Sequence, residues 1–286
     1  MHQPPTKIFQ LTPNSTKITQ TTKEAMQLQL SVLASGSSGN ATYIATPTTR
    51  ILIDAGLSAK QIELRLQHIG VSPASLTAIC LSHEHSDHTN GARVLQKRYQ
   101  LPLYANQPTA ASLQRTPKGK ECQFNIFQTG SPFTLGNLTL EPFHIPHDAA
   151  EPVGFRISNQ NTHIGIVTDI GMVTRLVTEK LKGCTCLIIE ANHDVDLLRE
   201  APRPWSLKQR IRSRQGHLSN VEAAQLICQT ATDTLQHIIL AHLSSQCNTP
   251  ETVLHTIQSQ LRLEKLDHLT LEVSGAKQPT PLWTSP

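Results

Sequence analysis

The run His83-Glu84-His85-Ser86-Asp87-His88 places three imidazoles and the Asp87 carboxylate within six residues. Each brings a polar nitrogen or oxygen that a folded interior must satisfy, so packing alone does not account for them. Alternation across His83-x-His85 projects two ring nitrogens to one side of an extended segment. Asp87 and His88 follow at a turn and reach a second point close by. Nitrogen and carboxylate donors in this arrangement suit two adjacent divalent cations, and zinc or manganese would satisfy them equally. The chemistry expected of such a pair is hydrolysis, because ions ~3.5–4 Å apart can share a hydroxide at neutral pH and hold the oxygens of an in-line displacement.

The elements that must carry these side chains are legible as short apolar runs separated by turn residues. Strands are expected at Leu28–Ala34, Ala41–Ala45, Ile51–Asp54, Ala78–Leu81, Leu138–Phe143, Val153–Ser158, His163–Thr168, Cys186–Glu190, His237–Ala241 and Leu269–Val273. Amphipathic helical stretches fall at Ala59–His68, Ala92–Tyr99, Val173–Leu181, Ser219–Thr230 and Pro250–Leu261, the fourth opening on a Ser219-x-x-Glu222 capping box. No period of 20–50 residues repeats. The pattern predicts an α/β chain with two sheets and outer helices over residues 28–275. Residues 1–27, polar and rich in Thr, Gln and Lys, read as a flexible tail, with Met26 as an alternative start. Residues 276–286 read as a loose C-terminal tail.

Composition agrees with a metal-binding globular protein. Fourteen histidines stand against three tyrosines and two tryptophans in 286 residues. No apolar run approaches the ~20 residues of a membrane span. The six cysteines (Cys80, Cys122, Cys184, Cys186, Cys228, Cys247) lack framework spacing and read as reduced thiols of a cytoplasmic protein. The formal charge of +4 has one source: Arg199, Arg203, Lys208, Arg210, Arg212 and Arg214 lie in a single window with one acid, Glu200, and acids balance bases elsewhere. Such a cluster fits a phosphate-rich partner, with Lys208, Arg210, Arg212 and Arg214 as the expected contacts to a nucleic acid, DNA rather than RNA.

H-x-H-x-D-H after a strand resembles the signature of the metallo-β-lactamase superfamily. The resemblance implies an αββα sandwich of two mixed sheets flanked by helices, with the remaining ligands at the ends of later strands. Candidates stand there: His147 beyond Leu138–Phe143, Asp169 beyond His163–Thr168, and His242 beyond His237–Ala241. By resemblance, His83, His85 and His147 would hold one metal, Asp87, His88 and His242 the other, and Asp169 would bridge them. His144 is the rival of His147 but lies within its strand. Asp54 would brace the metal-binding loop through hydrogen bonds.

Three further segments are similar to the YycJ/WalJ subfamily: Leu33-Ala34-Ser35-Gly36-Ser37-Ser38-Gly39-Asn40, Ile189-Glu190-Ala191-Asn192-His193-Asp194 and Gly216-His217-Leu218-Ser219-Asn220. Ser35, Ser37, Ser38, Asn40 and Asn192 are expected to offer donors to phosphate. His217 is the candidate for protonating the leaving oxygen, His193 its substitute, and Asp87 would also aim the nucleophile. The subfamily resemblance implies a metal-dependent 5′ to 3′ exonuclease on double-stranded DNA. A small-molecule phosphodiesterase and a module that binds nucleic acid without cutting it are the alternatives. The Pro-containing insert Ala201-Pro202-Arg203-Pro204-Trp205 departs from that pattern, and its Trp205 is a candidate for stacking on a base.

Overall fold

A computed structural model describes residues 27–286 of the chain. The polar segment expected as an N-terminal tail therefore lies, except for Gln27, outside the described residues. All ten expected strands and all five expected helices form, with ends shifted by no more than two residues. In chain order the first sheet contains β1 (Gln29–Ala34), β2 (Ala41–Ala45), β3 (Arg50–Ile53), β4 (Ala78–Cys80), β5 (Leu103–Asn106) and β6 (Phe124–Phe127). The second contains β7 (Phe133–Leu135), β8 (Leu138–His144), β9 (Val153–Asn159), β10 (Thr162–Val167), β11 (Cys186–Glu190), β12 (His237–Ala241) and β13 (Thr270–Val273). A last strand, β14 (Trp283–Thr284), returns to the first sheet beside β1.

Both sheets are mixed, and both change from antiparallel to parallel pairing. In the first, β1, β2 and β3 pair antiparallel, and β3 through β6 run parallel. In the second, β7 through β10 pair antiparallel, and β10 through β13 run parallel. The inner faces meet through Leu30, Ile44, Ile51, Leu140, Phe155, Ile166, Ile188 and Ile239, all buried. Helices α1 (Ala59–His68), α2 (Ser86–Thr89), α3 (Ala92–Tyr99) and α4 (Gln107–Gln114) lie in the first half of the chain, and Ile62 and Leu95 seal α1 and α3 to the first sheet. Helices α5 (Arg175–Leu181), α6 (Val195–Glu200), α7 (Trp205–Ile211), α8 (Asn220–Thr230) and α9 (Pro250–Leu263) follow, and Val177, Ile227 and Ile257 seal α5, α8 and α9 to the second. The architecture is the αββα sandwich. The capping box closes at α8, with Ser219 and Glu222 satisfying each other's backbone amides.

Four strands escape the sequence pattern: the sheet edges Phe124–Phe127, Phe133–Leu135 and Trp283–Thr284, and the internal strand Leu103–Asn106. Phe124–Phe127 and Phe133–Leu135 are short and half exposed, so they lack a clean alternation of buried and open positions. No described helix is long and apolar enough to cross a membrane. The cysteines are free, and all but Cys228 are buried.

Residues 276–286 are not a loose end. Trp283 and Thr284 pair with Leu30 and Gln29 of β1. Thr280 and Ser285 are buried, and their hydroxyls accept hydrogen bonds from the amides of Val32 and Leu28 at 2.9 and 3.0 Å. Arg65 is buried on α1 and donates to the carbonyls of Leu33 and Ala276, both at 2.7 Å. The segment leaves the second sheet after β13 and ends on the first, so it straps the two together. A chain stopped at Gly275 is expected to melt about 5–10 °C lower, since it loses several buried hydrogen bonds and leaves Arg65 half-partnered. An unchanged midpoint in calorimetry would restore the loose-tail reading.

Candidate metal centre

Strand ends on one rim of the sandwich deliver the chemistry. Asp54 follows β3, the histidine-rich turn follows β4, His147 lies beyond β8, and Asp169 and His242 follow β10 and β12. Asp54, Asp169 and His242 have φ of 63°, 57° and 56°, a left-handed conformation that non-glycine residues seldom adopt. The turn lets each side chain leave its strand towards the same point, and strain of this kind gathers where geometry serves a function. Gly56 is obligatory for a different reason: a Cβ there would sit 1.5 Å from the Asp87 carbonyl oxygen. That carbonyl accepts the Asn40 amide at 2.7 Å, and the Ala55 amide donates to the His88 carbonyl at 2.8 Å, so the loop after β3 cradles α2.

The seven side chains expected as ligands form two adjoining groups. His83, His85 and His147 offer atoms that all lie within 4.8 Å of one another, and so do Asp87, His88, Asp169 and His242. Asp169 touches both. Its Oδ1 lies 3.9 Å from His147 Nε2 and 3.3 Å from His242 Nε2, while Oδ2 lies 3.0 Å from His88 Nε2. His144, the rival of His147, is exposed on β8.

Around these groups runs a set of hydrogen bonds that fixes the rings. Asp54 Oδ2 meets His88 Nδ1 at 2.8 Å, and Asp54 also accepts from the amide and hydroxyl of Ser82. His147 Nδ1 faces the Gly216 carbonyl at 3.2 Å. Glu190, fully buried at the end of β11, receives His217 Nδ1 at 2.7 Å and His242 Nδ1 at 3.1 Å on one oxygen. Its other oxygen accepts the amides of Ile170 and Leu218. With each Nδ1 committed outward, the Nε2 atoms of His88, His147 and His242 turn inward.

Electrostatics point the same way. Burial pushes the Asp169 carboxyl upward, but His242 and His88 outweigh it and hold the group well below the usual carboxylate range. Burial likewise opposes ionisation of Glu190, yet His217 and His242 bring it to about 2. Conversely, burial favours neutral His242, but Asp169 with Asp87 and Glu190 raises it to about 10. His88 is lifted against its own burial by Asp169 and Asp54. His83 and His147 are driven down chiefly by burial. Ionised carboxylates this deep demand positive charge, and either protons on His88 and His242 or divalent cations supply it. Nε2 of His83, Nε2 of His242 and Oδ2 of Asp169 are buried without a hydrogen-bond partner. Unpartnered ligand atoms of this type, distributed over the two adjoining groups, fit divalent metal.

A cavity of about 720 Å³ opens beside the centre and is lined in part by Ser37, Ser38, Asp148, Arg203, Arg210 and His217. The His217 ring stacks on His242 with centroids 5.2 Å apart and lies 5.3 Å from the His147 ring, so it joins the cavity to the metal groups. Its side chain is 22% exposed, and Glu190 raises its pKa against the pull of burial.

Several residues expected to meet phosphate do other work. Ser35 reaches the cavity wall, but it is largely buried and its hydroxyl accepts the His242 amide at 2.7 Å. Asn40 does not line the cavity; its Oδ1 accepts the Gly36 amide and its Nδ2 lies 3.3 Å from Asp87 Oδ2. Asn192 reaches the cavity wall, but its amide donates to the His242 carbonyl at 2.8 Å. His193 is 2% exposed and off the cavity, so it cannot protonate a leaving group there. Lys208 is tied to the Arg199 carbonyl, and Arg212 and Arg214 lie outside the cavity. Sequence reasoning assigned no role to Glu190, Asp148 and Ser82, and placed Arg203 only within the basic window. Glu190 had a signal, since a carboxylate closing the apolar run Cys186-Leu187-Ile188-Ile189 must find buried partners.

Residues 49–242 match the β-lactamase superfamily domain. Exodeoxyribonuclease YycJ of Bacillus anthracis is 39% identical over 241 residues, covering 84% of this chain and 91% of that protein. Exodeoxyribonuclease WalJ of Streptococcus pneumoniae R6 is 39% identical over 234 residues, 81% of this chain and 87% of the relative. Among solved structures, the metallo-β-lactamase fold protein YhfI from Bacillus subtilis superposes with a TM-score of 0.71 at 16% identity, over 91% of this chain and 100% of that one. Human tRNase Z, short form, reaches 0.61 at 15% identity over 88% and 98%. With the fold, the strand-end ligand set and these relatives in agreement, the chain belongs to the metallo-β-lactamase superfamily and, within it, to the YycJ/WalJ-type metallo-hydrolases.

Proposed function

We propose that the protein is a two-metal phosphodiesterase acting on polynucleotides, specifically a cytoplasmic DNA exonuclease. One observation carries the reading. Two groups of ligand-type side chains adjoin at Asp169, a member of one and 3.9 Å from His147 of the other, beside a cavity whose wall bears Arg203 and Arg210. The names of the YycJ and WalJ relatives support DNA as substrate and cleavage from an end. The 5′ to 3′ direction and the preference for duplex rest on the subfamily resemblance alone.

His83, His85 and His147 would hold one divalent ion, Asp87, His88 and His242 the second, and Asp169 both. When bound, zinc or manganese would supply Lewis acidity towards the phosphoryl oxygens and an acidified water. The chain's own residues do the rest. Asp87, 22% exposed at the edge of its group, is placed to accept a proton and aim the attacking water. Glu190 accepts a hydrogen bond from the His217 Nδ1–H and leaves Nε2 as the free nitrogen of that ring. From the cavity wall, Nε2 can donate to the departing sugar oxygen, and the elevated pKa keeps the proton available near neutrality. Arg203 and Arg210 draw flanking phosphates into the cavity.

Digestion of end-labelled single- and double-stranded DNA and RNA with Zn²⁺ or Mn²⁺ should yield mononucleotides from DNA. Asp87→Ala should lower the rate by about 100-fold or more; an unchanged product ladder would locate the activity elsewhere. Charge reversal at Arg203 and Arg210 should slow DNA cleavage about ten times more than bis-p-nitrophenyl phosphate turnover. Equal losses would favour a small-molecule phosphodiesterase. His217→Gln is expected to reduce kcat about 100-fold on DNA but far less on the nitrophenyl ester, whose leaving group needs no proton. The same loss on both substrates would remove His217 from the proton-donor role.

A further inference from the structure

The loop that carries His147 and the basic segment that borders the cavity are joined at one place. Asp148 Oδ2 accepts from Arg210 Nε at 2.8 Å and lies 2.5 Å from Arg210 Nη2. Arg210 sits on α7, which Leu207 and Ile211 anchor against Leu198, Ala201 and Cys247. Exposed ion pairs are common and contribute little, but this one has two unusual features. Asp148 Oδ1 is buried without a hydrogen-bond partner, and it lies 3.3 Å from His147 Nε2, the nitrogen turned towards the metal group. Both members of the pair line the cavity.

A phosphate entering this cavity meets an electrostatic conflict. Arg203 and Arg210 are the arginines on its wall, and Asp148 is the carboxylate there. The Arg203 Nε is satisfied by the neutral Gln246 amide oxygen at 2.8 Å, whereas Arg210 is already neutralised by Asp148. A guanidinium accepts a carboxylate or a phosphate through the same fork of donors. The Arg210 side chain is 65% exposed and that of Asp148 28%, so the arginine can be shared with an incoming anion without unpacking α7.

We propose that Asp148 is a placeholder for a substrate phosphate. It holds Arg210 aimed at the cavity until a backbone phosphate of the polynucleotide, flanking the scissile one, takes its position on the guanidinium. The inference rests on the phosphodiester reading of the metal centre and adds the site, the anion and the competing side chain. Its sign is unusual: removing a charged residue from the cavity wall tightens substrate binding.

The test is fluorescence anisotropy with a fluorescein-labelled 20-mer phosphorothioate DNA, single-stranded and duplex, on metal-loaded protein at low salt. Metal content is measured in parallel so that variants are compared at equal loading. Asp148→Asn preserves shape and is expected to lower Kd about 3- to 10-fold, and Arg210→Gln to raise it by a similar factor. In the double variant the gain from Asp148→Asn should fall by at least half, because no arginine remains to be released. Weaker or unchanged binding by Asp148→Asn overturns the proposal. So does a gain that persists undiminished in the Arg210→Gln background, which would mark a general charge effect. Cleavage of unmodified DNA separates the two readings. Protein that binds with these signs yet cuts nothing keeps the placeholder and loses the nuclease. Protein that cuts with the opposite signs does the reverse.

Discussion

A single buried carboxylate organises this molecule. Asp169 is almost fully enclosed, yet ionised, and it reaches histidines from three separate strand ends. An isolated charge at that depth would be prohibitively unfavourable, so positive charge must assemble around it. The surrounding residues meet that demand in layers. Imidazole Nε2 atoms face inward, and Asp54, Glu190 and the Gly216 carbonyl hold the outward nitrogens. The backbone then holds those partners: Ile170 and Leu218 amides satisfy Glu190, and Ser82 satisfies Asp54. The outward hydrogen bonds thus fix the direction of these imidazoles from the protein side.

The sandwich makes this convergence possible through its strand directions. Parallel pairing in the middle of each sheet points the ends of β3 and β4 and of β10, β11 and β12 to one rim. Left-handed turns at Asp54, Asp169 and His242 then bend three of those ends inward. Neighbouring elements also share parts. Ser35 braces His242 from the first sheet, and Gly171 donates its amide to Pro146 beside the His147 loop. Damage to one loop therefore reaches ligands on another.

Sequence pattern carried much of this, for reasons that are physical. The central strands β11 and β12 are buried on both faces and legible as apolar runs, whereas β8 shows the alternation of a half-buried strand. His83 to His88 were visible because no packing role accommodates so many donors in so short a run. The edge strands β6 and β7 were not, since partial exposure dilutes their periodicity. Ser35, Asn40 and Asn192 are ambiguous for a related reason: a polar residue in a small-residue loop looks the same whether it serves a ligand or the backbone of the next loop. Only the fold shows that the His242 backbone, the Gly36 amide and Asp87 claim them. The basic window was legible as charge but not as geometry, because its placement depends on α7, a helix of seven residues with too little pattern to identify.

The pairing of β14 with β1 also bears on biosynthesis. Leu28 and Ser285 are bonded across a sequence separation of 257 residues. A nascent chain thus carries β1 with one unpaired margin until residues 283 and 284 have been made. Unpaired strand margins recruit other strands, including those of neighbouring chains on the same message. Ribosomal stalling before residue 283 would consequently release a product with that margin open to self-association.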